Sequence, residues 1–120
     1  MKVLRPLLPL LLIAATASHA GVADVVDVSV QCESTCTFSV TVRHEDSGWE
    51  HYADRWEVLA PDGKVIATRV LHHPHVEEQP FTRTLSNVEI PQSIGEVSIR
   101  AHDSVHNYGG KEIKVVLPPR

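Results

Sequence analysis

Asp54-Arg55-Trp56-Glu57-Val58-Leu59-Ala60-Pro61-Asp62-Gly63-Lys64-Val65-Ile66-Ala67-Thr68-Arg69-Val70-Leu71 is the stretch whose reading decides the fold. Pro61-Asp62-Gly63 is a tight-turn signal, because proline presets its own φ and glycine accepts a positive one. Before the turn, Asp54 to Leu59 places Trp56 and Val58 on one face. After it, Lys64 to Leu71 sets Val65, Ala67 and Arg69 against Ile66, Thr68 and Val70. Two period-two runs joined by such a turn form a β-hairpin.

Working outward, the same grammar repeats. Toward the N-terminus, Thr37 to Arg43 alternates with Phe38, Val40 and Val42 on one side, and Val22 to Gln31 does so with Val26, Val28 and Val30. Cys32-Glu33-Ser34-Thr35-Cys36 turns between them. Toward the C-terminus, Phe81 to Val88 and Glu96 to Ala101 read as strands, the latter with Val97, Ile99 and Ala101 inward. Lys111 to Leu117 is the last, on Ile113, Val115 and Leu117. No stretch keeps a helical period, and no segment repeats. Seven short strands separated by turn signals predict an all-β sandwich. Trp56 on the third strand supplies its large core aromatic. This placement, with the run Val97-Ser98-Ile99-Arg100-Ala101-His102-Asp103-Ser104-Val105-His106-Asn107-Tyr108-Gly109-Gly110, resembles bacterial immunoglobulin-like and fibronectin type III-like domains. The resemblance implies a seven-stranded immunoglobulin-like sandwich and, by itself, no activity.

Residues 1–20 stand apart. Lys2 and Arg5 precede an apolar run from Leu7 to Ala15, and Ala17-Ser18-His19-Ala20 offers small residues for cleavage after Ala20. That is a secretory signal pattern, too short and wrongly flanked for a membrane span. The expectation is a signal peptide over 1–20, a single domain over 21–120, and a periplasmic or secreted product. Without Lys2 and Arg5 the chain keeps nine basic residues against fifteen acidic ones. That balance argues against nucleic acid or anionic lipid as a partner. Cys32 and Cys36 read as a disulfide in an exported protein, with a C-x3-C thiolate metal pair as the alternative.

Seven of the eight histidines follow residue 20. If the strands run up and down, alternate connections share a pole. The connections His44 to Ala53, His72 to Pro80 and His102 to Gly110 then lie together, and they hold every one of these histidines. Neutral imidazole is a common ligand for Zn(II) and Cu(II). The predicted ligand set is His44, His51, His73, His75, His102 and His106, with Asp54 and Asp103 as supporting acids. His73 and His75 are expected to contribute one or two ligands to a site closed by the other loops. Residues 21–120 lack methionine, which excludes a thioether copper site. Two further readings stay open. One is a protein- or glycan-interaction module using the same loops, with Trp49 and Tyr108 as contacts. The other is an enzyme, for which Ser47 and Ser104 lie near histidines but no catalytic signature is present.

Overall fold

The computed structural model describes residues 21–120, so the expected signal peptide lies outside the described residues. Within them the chain is all-β, and no helix is long and apolar enough to cross a membrane. The strands are β1 (Asp24–Cys32), β2 (Cys36–Arg43), β3 (Ala53–Leu59), β4 (Val65–Val70), β5 (Phe81–Val88), β6 (Glu96–Asp103) and β7 (Ile113–Val116). They form two antiparallel sheets, ordered β1-β2-β5 and β4-β3-β6-β7. The Pro61-Asp62-Gly63 hairpin joins β3 to β4, with Gly63 at φ 87° and its amide donating to the Ala60 carbonyl.

Both sheets turn their apolar phase onto one core. Val25, Phe38, Val40, Val42 and Phe81 come from the first sheet, and Trp56, Val58, Val97, Ile99 and Ala101 from the second. All are buried, Trp56 completely. In β1 the inward residue is Val25, and not Val26 as the simple alternation gives. A bulge between Val25 and Asp27 shifts the register there, because one extra residue on a strand reverses the faces that follow.

Two polar residues belong to strand and not to loop. β6 continues through His102 and Asp103, whose backbones pair with Arg55 and Ala53 of β3. The expectation that no histidine lies within a strand is thereby corrected. Backbone pairing carries the strand beyond the last apolar side chain.

Cys32 and Cys36 form a disulfide across the β1–β2 turn, with Cα atoms 4.1 Å apart, so the thiolate-pair alternative does not apply. Closing so short a loop removes little unfolded-state entropy, worth about 2 kcal/mol. A Cys32→Ser, Cys36→Ser protein should lose about that much in urea unfolding. The turn lies at the end of β1 away from Gly21.

Candidate metal centre

The apolar phases of β2 and β6 do not stop where their hydrophobic residues do. Phe38, Val40 and Val42 are followed in the same phase by His44 and then Asp46, both buried. Val97, Ile99 and Ala101 are followed by Asp103, which is fully buried. The pleat points alternate side chains to one face. The hydrophobic column of the core is therefore capped, at one pole, by an imidazole and two carboxylates.

The contacts among these groups are short. His44 Nδ1 donates to Asp46 Oδ1 at 2.5 Å, and His44 Nε2 meets Asp103 Oδ2 at 2.6 Å. His51 Nε2, from the β2–β3 loop, reaches the same Asp103 Oδ2 at 2.5 Å. His106 stands at the rim with Nδ1 3.3 Å from that oxygen. The Gly21 carbonyl oxygen lies 3.3 Å from His44 Nε2 and 3.2 Å from His51 Nε2. The side chains of His44, Asp46 and Asp103 have no solvent exposure, whereas His51 is 22% and His106 45% exposed. The cluster is dry below and open to solvent through those two rings.

Each buried group is held by its neighbours. Asp103 Oδ1 accepts the backbone N–H of Val105 at 2.9 Å and that of His106. Burial alone would raise the Asp103 pKa. The hydrogen bonds from the His106 backbone, His51, the Val105 backbone and His44 outweigh it, and hold the carboxyl well below the usual range. Asp46 Oδ1 also accepts the Ala53 N–H at 3.0 Å, and its Oδ2 accepts the His75 N–H at 2.7 Å. Gln79 ties the loops together, accepting from the His44 N–H and donating to the His75 carbonyl.

This arrangement has the chemistry of a cation site. Carboxylates only accept, so His44 cannot satisfy Asp46 and Asp103 together unless its Nε2 carries a second proton or a metal ion. Asp46, fixing the Nδ1–H, plays the part of the carboxylate that orients a ligating imidazole. Among the described residues, the charged partners within ion-pair distance of Asp46 and Asp103 are histidines alone. Two buried carboxylates without a permanent cation call for compensation. His44, His51 and Asp103 each offer a ligand atom, all within 4.8 Å of one another. Ligands bonded to a tetrahedral metal at about 2.0–2.1 Å lie roughly 3.3–3.4 Å apart. The Gly21 and His106 spacings already match that figure. The contacts at 2.5–2.6 Å are hydrogen bonds that would open by about 0.7–0.9 Å around an ion.

The remaining expected ligands lie elsewhere. His102 neighbours Asp103 on β6 and so projects from the opposite face of the sheet. Its Nδ1 pairs with Asp54 Oδ1 at 2.6 Å, and its ring meets Tyr108 edge-on. His75 is buried and stacked on Phe81, ring centroids 3.9 Å apart. Its Nε2 lies 2.9 Å from Arg83 Nη2 and must accept, since guanidinium only donates. His73 is exposed and hydrogen-bonds the Pro74 carbonyl through Nδ1. The Leu71–Pro80 stretch supports Asp46 through the His75 backbone and brings none of its imidazoles to the triad. The Gly21 carbonyl lies outside the expected ligand set. The strand phase running through Val42 and His44 marks Asp46, but a main-chain oxygen leaves no trace in sequence.

Burial, then Arg83 and His73, lower the His75 pKa. A histidine whose folded pKa lies below its unfolded value of about 6.5 binds fewer protons folded than unfolded. Its contribution is thus complete above about pH 6.5 and is lost as pH falls toward the lowered folded value. His75→Leu should flatten the fall in unfolding free energy below about pH 6.5, measured by urea titration at each pH.

No family model matches the chain, and no solved structure does. A curated protein described as "Putative lipoprotein", from Halomicrobium mukohataei, is 40% identical over 95 residues. The match covers 78% of this chain and 46% of that protein, so the chain spans less than half the length of its relative.

Proposed function

We propose that this chain is an exported immunoglobulin-like sandwich that holds one divalent transition metal, Cu(II) or Zn(II), between His44, His51 and Asp103, with His106 at the mouth. The observation that carries the reading is His44, buried with each ring nitrogen against a buried carboxylate. Export is supported by the leader pattern over 1–20 and by the description of the relative as a lipoprotein. The sandwich reading is supported by the two sheets, by the β2–β3, β4–β5 and β5–β6 connections that pass between them, and by the buried Trp56 on β3. Imidazole with carboxylate oxygen suits both metals.

Calorimetric titration of the processed protein with Cu(II) and with Zn(II) tests this. The expected result is one saturable site, together with a rise in melting temperature through linkage. Asp46→Asn should keep the stoichiometry and weaken binding by about 10–100-fold, as loss of an orienting carboxylate does. His73→Ala and His102→Ala should leave the affinity unchanged. If neither ion binds with one-to-one stoichiometry, the reading fails.

A second reading rests on a separate observation. Trp49, Val76 and Val105 are exposed by 67%, 56% and 53%, one on each loop of this pole. Exposed apolar side chains on polar loops suit a protein partner. Under that reading Trp49→Ala would abolish capture of the partner while metal binding persists.

A further inference from the structure

The Gly21 carbonyl oxygen lies within hydrogen-bond distance of both His44 Nε2 and His51 Nε2. Gly21 is also the residue that cleavage after Ala20 would make the first of the processed chain. We propose that the processed amino terminus is itself a ligand: the α-amine and carbonyl oxygen of Gly21 chelate the metal held by His44, His51 and Asp103. This rests on the metal reading above and deepens it.

Three features of the molecule support the assignment. First, the terminus is anchored where it is needed. The Val25 N–H donates to the Lys111 carbonyl at 2.8 Å, the Lys111 N–H to Asp24 Oδ1 at 2.6 Å, and Ala23 is buried against Gly110. Second, residue 21 must be small. It sits at φ 103°, and a Cβ there would lie 2.6 Å from Cε1 of His106. Glycine is what allows the main chain to come this close to the imidazoles. Third, the amine cannot be far away. It is separated from the carbonyl oxygen by fixed covalent geometry, about 2.7–3.6 Å depending on ψ. An ion bound to that oxygen closes a five-membered ring when the amine turns toward it.

The chemistry balances. Hydrolysis of the Ala20–Gly21 peptide bond by the export peptidase, with one water, releases the leader as a carboxylate and leaves Gly21 as an ammonium. On binding, the ammonium gives its proton to solvent and its lone pair to the metal. The donor set becomes richer in nitrogen, which favours Cu(II). Unprocessed chain carries an amide nitrogen at this position, a far poorer donor, so the site is completed by export.

The test compares two forms. The full chain is exported from a bacterial host, and the N-terminus of the processed protein is read by mass spectrometry. A second form carries one additional serine ahead of Gly21. Cu(II) and Zn(II) affinities are measured for both, and electron paramagnetic resonance spectra of the Cu(II) forms are recorded with and without [15N]glycine labelling. The expected result is a chain starting at Gly21, an affinity at least about 10-fold higher than that of the extended form, and a hyperfine change on labelling in the processed form alone. Equal affinities with a label-insensitive spectrum overturn the amine ligand and leave the His44–His51–Asp103 site standing. A processed chain starting at any other residue also overturns it. Absence of Cu(II) and Zn(II) binding in both forms removes the underlying site, and this inference with it.

Discussion

Asp103→Ala is expected to abolish stoichiometric Cu(II) and Zn(II) binding and to cost about 3–5 kcal/mol of folding stability in the metal-free protein. The two losses have one origin. Oδ2 of this carboxylate is where His44 Nε2 and His51 Nε2 converge, and Oδ1 holds the Val105 and His106 backbone N–H groups that shape the β6–β7 loop. Removing it takes away a proposed ligand, leaves two backbone donors without their acceptor and removes the oxygen on which His44 Nε2 and His51 Nε2 converge. The acid limb of stability should change as well. A carboxyl held below its unfolded pKa of about 3.9 contributes fully above that value, and the contribution is lost as pH falls into its depressed range. The direction for Asp103 is downward, so Asp103→Ala should unfold over a flatter acid profile below about pH 5. Urea titrations at several pH values, together with calorimetry, check both parts. Wild-type metal affinity in this variant would rule out Asp103 as a ligand.

Much of this arrangement is legible in the sequence alone. Period-two alternation located all seven strands to within one or two residues at most ends, because each strand sends one face into a shared core and the other to water. Strand parity brought His44, His51 and His106 to one pole, and they do meet there around Asp103. Two features of the site are not legible in composition. Polar residues do not mark the end of a strand, since His102 and Asp103 extend β6 and therefore face opposite ways. Density of histidine does not mark a ligand, since His75 stacks on Phe81 and accepts from Arg83. The better guide was phase. His44 and Asp103 each occupy the next inward position after a run of buried apolar residues, and Asp46 occupies the one after His44. A polar residue in a core phase either finds a partner or destabilises the fold. The Gly21 carbonyl was out of reach for a different reason: main-chain oxygens are the same in every residue, and only tertiary structure aims one at a site.

His44→Ala is expected to have an effect of similar size, and its partner dependence separates a charge-compensating imidazole from a packing one. His44 is wedged between Asp46 Oδ1 and Asp103 Oδ2, and it edges onto the His51 ring, centroids 4.8 Å apart. Deleting it leaves two buried carboxylates facing a cavity with one bridging group fewer. Loss of one partner from a buried charged set costs about 3–5 kcal/mol, a range that overlaps the about 2–5 kcal/mol of a mid-sized cavity, so the partner dependence and not the size of the loss separates the two. If charge compensation dominates, removing a carboxylate as well should recover part of the loss. In a double-mutant cycle, His44→Ala with Asp46→Ala should be less destabilised than the sum of the singles, by about 1–3 kcal/mol. If packing dominates, the two substitutions should each add their own cavity and come out additive within about 0.5 kcal/mol. Metal affinity supplies an independent reading of the same pair. His44→Ala removes a proposed ligand and should lower the affinity to a weak but measurable value, which adding Asp46→Ala should leave unchanged if Asp46 acts on the metal only through His44. A further fall in affinity on adding Asp46→Ala would mean that Asp46 reaches the ion directly, and the orienting role assigned to it would have to be given up.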